Sequence, residues 1–333
     1  MRLSGQLLLV LLSFILMGVI SCEKNTVLQD KTILIDPGHG GTAATDTFRV
    51  GPGGEREEWI NLRVAKHLRE LLTAQGATVI MTRHEDVAVG LKERALMAID
   101  NNADVFISIH HNATADSSVN FPIVYYHANA SENQASVQLG EIVINHIKNE
   151  MYSKNTPVSL VSDHVIFPTS GAAVLRHSYG IPGIIGEASF FTNPAEEECL
   201  TDSTYNKKEA RAYFYTLQEF FEQRALPITE KYATIKISPF SVLQEGGRMS
   251  DVARLWQQDF YKGEHLFETE NRDSLSKALE FFTRSARSFP DSWLAPAAHC
   301  YRLRIMKKLG EPQKAETVRQ RLTEFYPLYN NER

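Results

Sequence analysis

Short apolar runs and longer amphipathic segments alternate from Lys31 to about Leu226, and this alternation constrains the fold more than any other feature of the chain. Five runs have the length and the β-branched or aromatic content of strands. They are Thr32–Ile35, Thr78–Met81, Val105–Ile109, Ile123–Tyr126 and Gly183–Gly186. Because parallel strands need a crossover connection, strands that alternate with helices favour a parallel sheet. The pattern predicts an α/β fold, a three-layer sandwich around a mostly parallel twisted sheet.

The segment between the first two strands has the clearest helical pattern. Ile60, Val64, Leu68 and Leu72 recur at helical spacing and form one apolar stripe, and Gly76 follows as a stop signal. We predict three further helices in this part of the chain, over Leu91–Asn101, Ala135–Tyr152 and Lys207–Gln223.

The C-terminal part of the chain has a different, all-helical pattern. It follows a linker over residues 226–250 that contains proline and a glycine pair, and it covers residues 251–333. Ala278 and Pro290 recur 37 residues later as the same residue types, which resembles tetratricopeptide repeats with their period of about 34 residues. A generic helical tail is the alternative. Two repeats are fewer than such folds need alone, so we expect this region to lean on the first domain or on a partner.

The N-terminus has the pattern of a targeting segment. Arg2 is the only charged residue before Glu23, and an apolar run ends at the sequence Val-Ile-Ser before Cys22. This resembles a bacterial lipoprotein signal, so we expect residues 1–21 to be removed and residues 22–30 to form a tether. A plain secretory signal or a membrane anchor is the alternative, although an anchor needs about 20 apolar residues.

Lipid chains on Cys22 would hold the protein on a membrane surface outside the cytoplasm. In a host with two membranes we expect the outer membrane, with the protein facing the periplasm.

Charge and cysteine content exclude several functional classes. The chain of 333 residues has a formal net charge of −5, so it lacks the basic field expected of a nucleic-acid-binding protein. Its three cysteines include no CxxC pair, which excludes a disulfide-rich scaffold and a thiolate zinc site of that type. Cys199 and Cys300 can be paired or free in the mature protein.

Polar residues follow three of the predicted strands at their carboxyl ends. His39 lies in the loop after the first strand, His110 follows the third, and Glu187 follows the last. In a parallel sheet these ends lie along one edge, where open α/β folds bind ligands. We therefore expect two imidazoles and a carboxylate to converge there.

Glu57 is the fourth candidate at this edge. It precedes Ile60 and Val64 by three and seven residues, so it continues their sheet-facing stripe into the first helical turn. An inward carboxylate needs a cation, and with His39 and His110 it makes a His₂Glu set, as in catalytic zinc sites.

Each of these residues also has an ordinary structural interpretation. The glycines around His39 could form a dinucleotide loop, although Ala43 stands where the third glycine belongs. Glu57 could simply favour the positive end of its helix. His110 and His111 could cap the core, and the remaining carboxylate could pair with an arginine; the residues concerned are Glu187, Arg83 and Arg176.

Five motifs occur in the order found in one enzyme family. They are Asp36–Gly41, Glu57 with Asn61-Leu62, Thr82-Arg83, Ile107–Ala113 and Gly186–Asn193. The set resembles the zinc-dependent N-acetylmuramoyl-L-alanine amidases of the bacterial cell wall, the Amidase_3 family, over about residues 31–225. The resemblance implies a phosphorylase/hydrolase-like amidase fold. It also implies hydrolysis of the amide between N-acetylmuramic acid and the L-alanine of the peptidoglycan stem peptide, in wall remodelling or daughter-cell separation.

The resemblance also assigns residue roles. It implies that His39, Glu57 and His110 bind zinc and that Glu187 is the catalytic glutamate. Where the family commonly has lysine the chain has Glu58, which leaves this residue and Glu55 as weaker candidates for the ligand; Gly186 and Ala188 also depart from the family pattern. His111 is expected to point away from the metal, and Asn61 and Asn112 to support the site.

Two other functions stay open from the sequence. The protein could be an anchored scaffold that binds peptidoglycan without cutting it, or a zinc hydrolase of another cell-wall amide. A binding module would tolerate loss of a ligand or of the glutamate, and none is lost. The helices of residues 251–333 are expected to dock a protein partner or activator.

Overall fold

The computed structural model of the chain describes residues 26–43, 48–114, 116–167, 170–232, 246–269, 271–289 and 292–326. The predicted signal segment, Cys22, Pro290 and Pro327 lie outside the described residues. Within the described ranges, no helix combines the length and the apolar character needed to cross a bilayer.

The described residues form six strands: Thr32–Pro37 (β1), Thr78–Met81 (β2), Val105–Asn112 (β3), Ile123–Tyr126 (β4), Ser159–Ser162 (β5) and Gly183–Phe190 (β6). Six helices accompany them: Glu57–Thr73 (α1), Leu91–Asp100 (α2), Gln134–Met151 (α3), Ala173–His177 (α4), Pro194–Thr201 (α5) and Ser203–Glu222 (α6). Four more follow: Gly246–Phe267 (α7), Arg272–Ser288 (α8), Ala295–Leu309 (α9) and Pro312–Phe325 (α10).

The strands form one sheet in the order β2-β1-β3-β6-β4-β5. Every neighbouring pair is parallel except β4 with β6, which confirms the prediction of a mostly parallel sheet. The register places Asp36 of β1 beside Ser108 of β3, and His110 of β3 beside Glu187 of β6. The carboxyl ends of these three strands therefore share one edge of the sheet.

Helices cover both faces of the sheet, as predicted. Because side chains alternate along a strand, Ile33 and Ile35 of β1 pack into one core with α1, α3 and α6. Leu34 faces the opposite way and packs into a second core with α2 and α4. These two cores make the three-layer sandwich.

Three elements were not expected from the sequence: strand β5, the five-residue helix α4 and helix α5. Strand β5 has only four residues and begins and ends with serine, so its composition resembles a loop. Helix α5 begins with Pro194 after Asn193, whose side chain accepts hydrogen bonds from two backbone N–H groups of the first turn. Helix α5 is followed directly by α6, which starts at Ser203, four residues before the predicted start.

Helices α7 to α10 form two successive pairs. Ala278 and Ala315, which lie 37 residues apart, are buried in the second helix of each pair. Gly310 ends α9 in the left-handed conformation that glycine adopts without strain, with φ of 79°. The apolar cluster of this region also contains Phe48, which comes from the segment before α1. The helical region therefore packs against a residue that belongs to the first part of the chain.

A buried ion pair connects the strands below the edge where β1, β3 and β6 end. The Asp36 carboxylate accepts hydrogen bonds from Arg94 (2.7 Å), Thr82 (2.6 Å) and Ser108 (2.7 Å). Burial alone would raise the pKa of Asp36, but the Arg94 charge and these hydrogen bonds outweigh burial and lower it below 3.8. The carboxylate thus joins β1, α2 and β3 and the residue that follows β2.

We predict that Asp36→Asn lowers the free energy of unfolding by about 3–5 kcal/mol, because it leaves the buried Arg94 charge uncompensated. In the wild type, this stabilisation is complete above the unfolded-state pKa and is lost as pH falls through the lower folded-state pKa. Urea unfolding of both proteins between pH 7 and pH 3 measures the effect. The role of the Asp36–Arg94 ion pair would be contradicted if the two proteins differed by the same unfolding free energy at every pH in that range. It would also be contradicted if Asp36→Asn left the free energy of unfolding unchanged at pH 7.

Candidate metal centre and active site

His39, Glu57 and His110 come together at the edge of the sheet where β1 and β3 end. Nε2 of His39 lies 3.1 Å from one carboxylate oxygen of Glu57, and Nδ1 of His110 lies 3.1 Å from the other. The two imidazole rings are 4.7 Å apart and nearly perpendicular. Glu57 is buried, while both histidines keep partial exposure. The arrangement presents two nitrogens and a carboxylate to one point.

The glycine-rich loop after β1 allows this close approach. A Cβ atom on Gly38 would lie 2.2 Å from the His110 ring, so only glycine fits there. His39 itself has a φ of 58°, in the left-handed region, and its carbonyl oxygen accepts a hydrogen bond from Arg94 at 2.7 Å. The loop thus holds His39 in an uncommon backbone conformation that aims its ring at Glu57.

The charges around Glu57 favour its ionised form. Burial raises its pKa, but His39 and His110 outweigh burial and lower the pKa of Glu57 well below 4.5. Burial lowers the pKa of His110, but its hydrogen bond to Glu57 and the negative charge there raise it above 6.5 overall. A negative carboxylate that attracts positive charge to this point suits the binding of a cation.

The two neighbouring carboxylates, Glu58 and Glu55, have other partners. Glu58 is fully buried and bonds to Arg56 at 2.7 Å and to Thr42 at 2.8 Å. Glu55 lies 3.2 Å from Arg63. Neither belongs to the group that meets His39 and His110, so the geometry favours Glu57 over both alternatives.

Arg83, one of the arginines considered as a partner for the last-strand carboxylate, supports the loop instead. Its guanidinium donates hydrogen bonds to the carbonyl oxygens of Pro37 (2.9 Å), Gly38 (2.8 Å) and Glu58 (2.7 Å). Burial, and then the nearby Arg94 charge, lowers the pKa of Arg83 to about 10. Arg83 therefore stays charged at neutral pH and fixes the backbone beside His39.

His111 belongs to a buried hydrogen-bond network behind the candidate metal centre. Its Nδ1 lies 2.8 Å from Asn61 Oδ1, and its Nε2 lies 3.0 Å from a Glu209 carboxylate oxygen. The Asn61 amide in turn donates to Glu57 at 3.3 Å. Burial lowers the pKa of His111, but Glu209 outweighs it and raises the pKa overall. His111 and Asn61 thus orient the Glu57 carboxylate and do not join the three-residue group.

The sequence analysis did not identify Glu209. A signal existed, because Glu209 lies on the same apolar stripe of α6 as Tyr213 and Leu217, at i+4 and i+8. A carboxylate on such a stripe requires a buried partner, and His111 is that partner.

Glu187 lies directly across from His110 in the register of β3 and β6. Its negative charge raises the pKa of His110, and together with burial it raises the pKa of Tyr125. Glu187 is half-buried, so it stands at the accessible edge of the sheet beside the three-residue group.

The unusual Gly186 has a structural counterpart on α6. A Cβ atom at this position would lie 2.2 Å from the Tyr213 hydroxyl. Tyr213 is fully buried, and its hydroxyl donates to the Gly186 carbonyl oxygen at 3.4 Å. The tyrosine thus fills the space that a larger strand residue would need.

A second histidine and aspartate group lies at the opposite edge of the sheet. His127, Asp163 and His164 follow β4 and β5, and β4 is antiparallel to β6. His127 Nδ1 is 2.8 Å from Asp163, and its Nε2 is 3.0 Å from the Lys231 ammonium. A lysine therefore already supplies positive charge there, whereas His39, Glu57 and His110 form the group beside Glu187.

The cysteine thiols take no part in either group. Cys199 is exposed and Cys300 is half-buried, and neither forms a disulfide bond within the described residues.

Fold and site together define a class: a three-layer α/β domain with a candidate His₂Glu metal centre and a nearby glutamate at the carboxyl ends of the parallel strands of its sheet. Residues 33–219 match the Amidase_3 family of N-acetylmuramoyl-L-alanine amidases, and the chain belongs to this family.

Curated relatives agree with this assignment. The chain is 28% identical over 199 residues to the probable cell wall amidase LytH of Staphylococcus saprophyticus, covering 59% of this chain and 60% of that protein. It is 31% identical over 189 residues to the N-acetylmuramoyl-L-alanine amidase LytC of Bacillus subtilis, covering 57% of this chain and 35% of that protein. The chain therefore spans between about a third and three fifths of these two relatives.

Solved structures show the same similarity. An N-acetylmuramoyl-L-alanine amidase from Clostridium difficile 630 superimposes with a TM-score of 0.51 at 26% identity, over 59% of this chain and 100% of that one. The CwlD amidase of Clostridioides difficile, solved in complex with the GerS lipoprotein, gives a TM-score of 0.50 at 28% identity, over 58% and 99%. The similarity covers the first domain.

We predict that Gly186→Ala lowers the free energy of unfolding by about 1–3 kcal/mol, because the new Cβ meets the Tyr213 hydroxyl. In a Tyr213→Phe background the same substitution should cost less, since the hydroxyl is gone. Urea unfolding of the two single variants and the double variant gives the coupling energy. Strictly additive effects would show that Tyr213 does not compensate for Gly186.

Proposed function

We propose that the protein is a zinc-dependent peptidoglycan hydrolase that cleaves the amide between N-acetylmuramic acid and the L-alanine of the stem peptide. One observation carries the proposal. In a chain of the amidase family, His39, Glu57 and His110 meet at the sheet edge with Glu187 beside them.

The donor set fits zinc. Two imidazole nitrogens and a carboxylate, converging at a half-open edge, are the protein ligands of catalytic zinc sites that keep a further position open. Each imidazole faces a different oxygen of Glu57, and the carboxylate is held ionised by its surroundings. When bound, zinc would supply the Lewis acidity that polarises the scissile carbonyl and acidifies water.

Glu187 is proposed as the proton carrier. Its carboxylate accepts a proton from the attacking water as the oxygen–carbon bond forms at the carbonyl. It then donates that proton to the alanine nitrogen as the carbon–nitrogen bond breaks, so the products are a lactyl carboxylate and a free stem peptide. The position opposite His110 supports this role, because it puts the carboxylate beside the metal ligands without making it one of them.

The hydrolysis experiment uses purified peptidoglycan and zinc-loaded protein, with mass spectrometry of the released products. We expect the wild type to release stem peptides that begin with free alanine. Because general acid–base catalysis contributes about 10²–10⁴-fold, Glu187→Gln should lose at least a hundredfold in kcat while keeping its zinc. Wild-type turnover by this variant would contradict the role of Glu187, and intact glycan-linked peptides from the wild type would favour the scaffold hypothesis.

The metal centre has a matched pair of variants on adjacent positions. Glu57→Gln removes the charge between the two histidines and should lower zinc affinity at least tenfold, measured by competition with a chelator. Glu58→Gln makes the same chemical change one residue away, where the carboxylate faces Arg56, and should keep zinc affinity. Equal losses in both variants would contradict the ligand set.

Membrane attachment through a lipidated Cys22 is part of the proposal, supported by the apolar segment that ends at this residue. Attachment would place the site on the wall side of a membrane, at the outer membrane of a host with two membranes. Membrane fractionation of cells that express the wild type or Cys22→Ser tests it. We expect the wild type in the membrane pellet and an unprocessed, unlipidated variant; identical processing and acyl labelling of both would contradict it.

The helical region is proposed as a tetratricopeptide-like platform for a protein partner or activator. Its two helix pairs, with buried alanines 37 residues apart, support this interpretation.

A further inference from the structure

The first domain and the helical region enclose a cleft of about 880 Å³. On one side lie the loops that follow β3 and β6 and the segment before α1; on the other lie α7 and α8. The first domain contributes Phe48, Thr114, Asp116 and Thr192, and helix α8 contributes Arg284 and Arg287. Residues of both parts of the chain therefore line it.

The cleft lies next to the carboxyl ends of β3 and β6, which carry His110 and Glu187. Thr114 follows His110 by four residues and Thr192 follows Glu187 by five, and the Thr114 amide donates to the Thr192 hydroxyl at 3.1 Å. Four or five residues of extended chain span at most about 13–18 Å. A peptide of four or five residues whose scissile bond lies at the metal centre is therefore long enough to reach into the cleft.

Phe48 fixes the helical wall of the cleft. Its ring is buried in the apolar cluster of the helical region and packs edge-on against His299, with ring centres 4.9 Å apart. The guanidinium groups of Arg302 and Arg321 lie over the same ring at 4.8 Å and 4.6 Å. Burial, followed by the Arg302 charge, lowers the pKa of His299 well below 6.5, so its ring is neutral in this cationic setting.

The two arginines that line the cleft differ in their ion pairs. Arg284 makes a two-pronged ion pair with Asp259, at 2.6 Å and 2.9 Å. Asp116 accepts hydrogen bonds from the amide and hydroxyl of Ser118. Arg287 is exposed, and no carboxylate of the described ranges pairs with it. A guanidinium in this state binds carboxylates with a preferred two-pronged geometry.

We propose that this cleft is the subsite for the acidic part of the stem peptide and that Arg287 binds a free carboxylate there. The inference rests on the proposed function, and it assigns the helical region a share in substrate specificity. The stem peptide carries carboxylates on residues that follow the alanine, whereas the sugars of the glycan are neutral polyols. Arg287 supplies positive charge at a distance from the metal centre that a short peptide can span. It therefore matches the peptide side of the scissile bond.

The test compares two soluble muropeptides with a four-residue stem that differ in a single group: the carboxyl-terminal carboxylate or its carboxamide. We expect the full-length, zinc-loaded wild type to favour the acid by about tenfold in kcat/KM, mainly through KM, as for a charge-assisted hydrogen bond at a partly exposed site. Arg287→Gln should bring the ratio near one, and Arg287→Lys should restore part of it.

Lys277→Gln is the matched control. Lys277 lies exposed on the same helix as Arg287 and outside the cleft, so the variant removes the same charge from α8. We expect it to keep the wild-type ratio. An unchanged ratio in Arg287→Gln, an equal fall in Lys277→Gln, or a wild-type ratio of one would overturn the proposal.

A binding measurement separates this inference from the proposed reaction. The dissociation constants of fluorescent stem peptides, acid and carboxamide, are measured by anisotropy with wild type and Arg287→Gln. Preference for the acid that is lost in the variant supports the subsite even if neither muropeptide is cleaved. Equal binding of both peptides by the wild type overturns the subsite even if both are cleaved.

Discussion

The parallel pairing of β1, β3 and β6 is the constraint on which the site depends. Because the three strands run in the same direction, their carboxyl ends meet at one edge, and the residues that follow them are brought together from distant parts of the sequence. Helix α1 adds Glu57 from its first turn. The register then fixes the arrangement further, since a shift of one residue would turn His110 and Glu187 to opposite faces of the sheet.

Charged groups buried beneath this edge make the arrangement rigid. Asp36 and Arg94 pair in the core, Arg83 donates to three backbone carbonyl groups, and His111 bonds to Glu209 behind Glu57. Burying such groups is costly unless each has a partner, and here these partners belong to different strands and helices. The contacts that offset the cost of burying these charges therefore also position the Glu57 carboxylate and the loop that carries His39.

Much of this could be predicted from the sequence, for physical reasons. The five predicted strands and the long helices have strong periodicity, and polar residues after buried strands indicated the edge of the site. Strand β5 was missed because a strand of four residues that begins and ends with serine carries little periodic signal. The partnership of Glu209 with His111, and of Tyr213 with Gly186, depends on packing between elements far apart in the chain. No local pattern specifies such pairs, although a carboxylate on an apolar stripe shows that one is needed.

The segment from Phe48 to Glu57 connects the core of the helical region to a candidate metal ligand. Phe48 is buried among the helices, and nine residues later Glu57 faces the two histidines; between them Glu197 holds the loop by accepting backbone hydrogen bonds from Gly53 and Glu55. The segment therefore gives a direct covalent route between the docked helices and the proposed metal ligand, and any coupling carried along it acts equally in both directions.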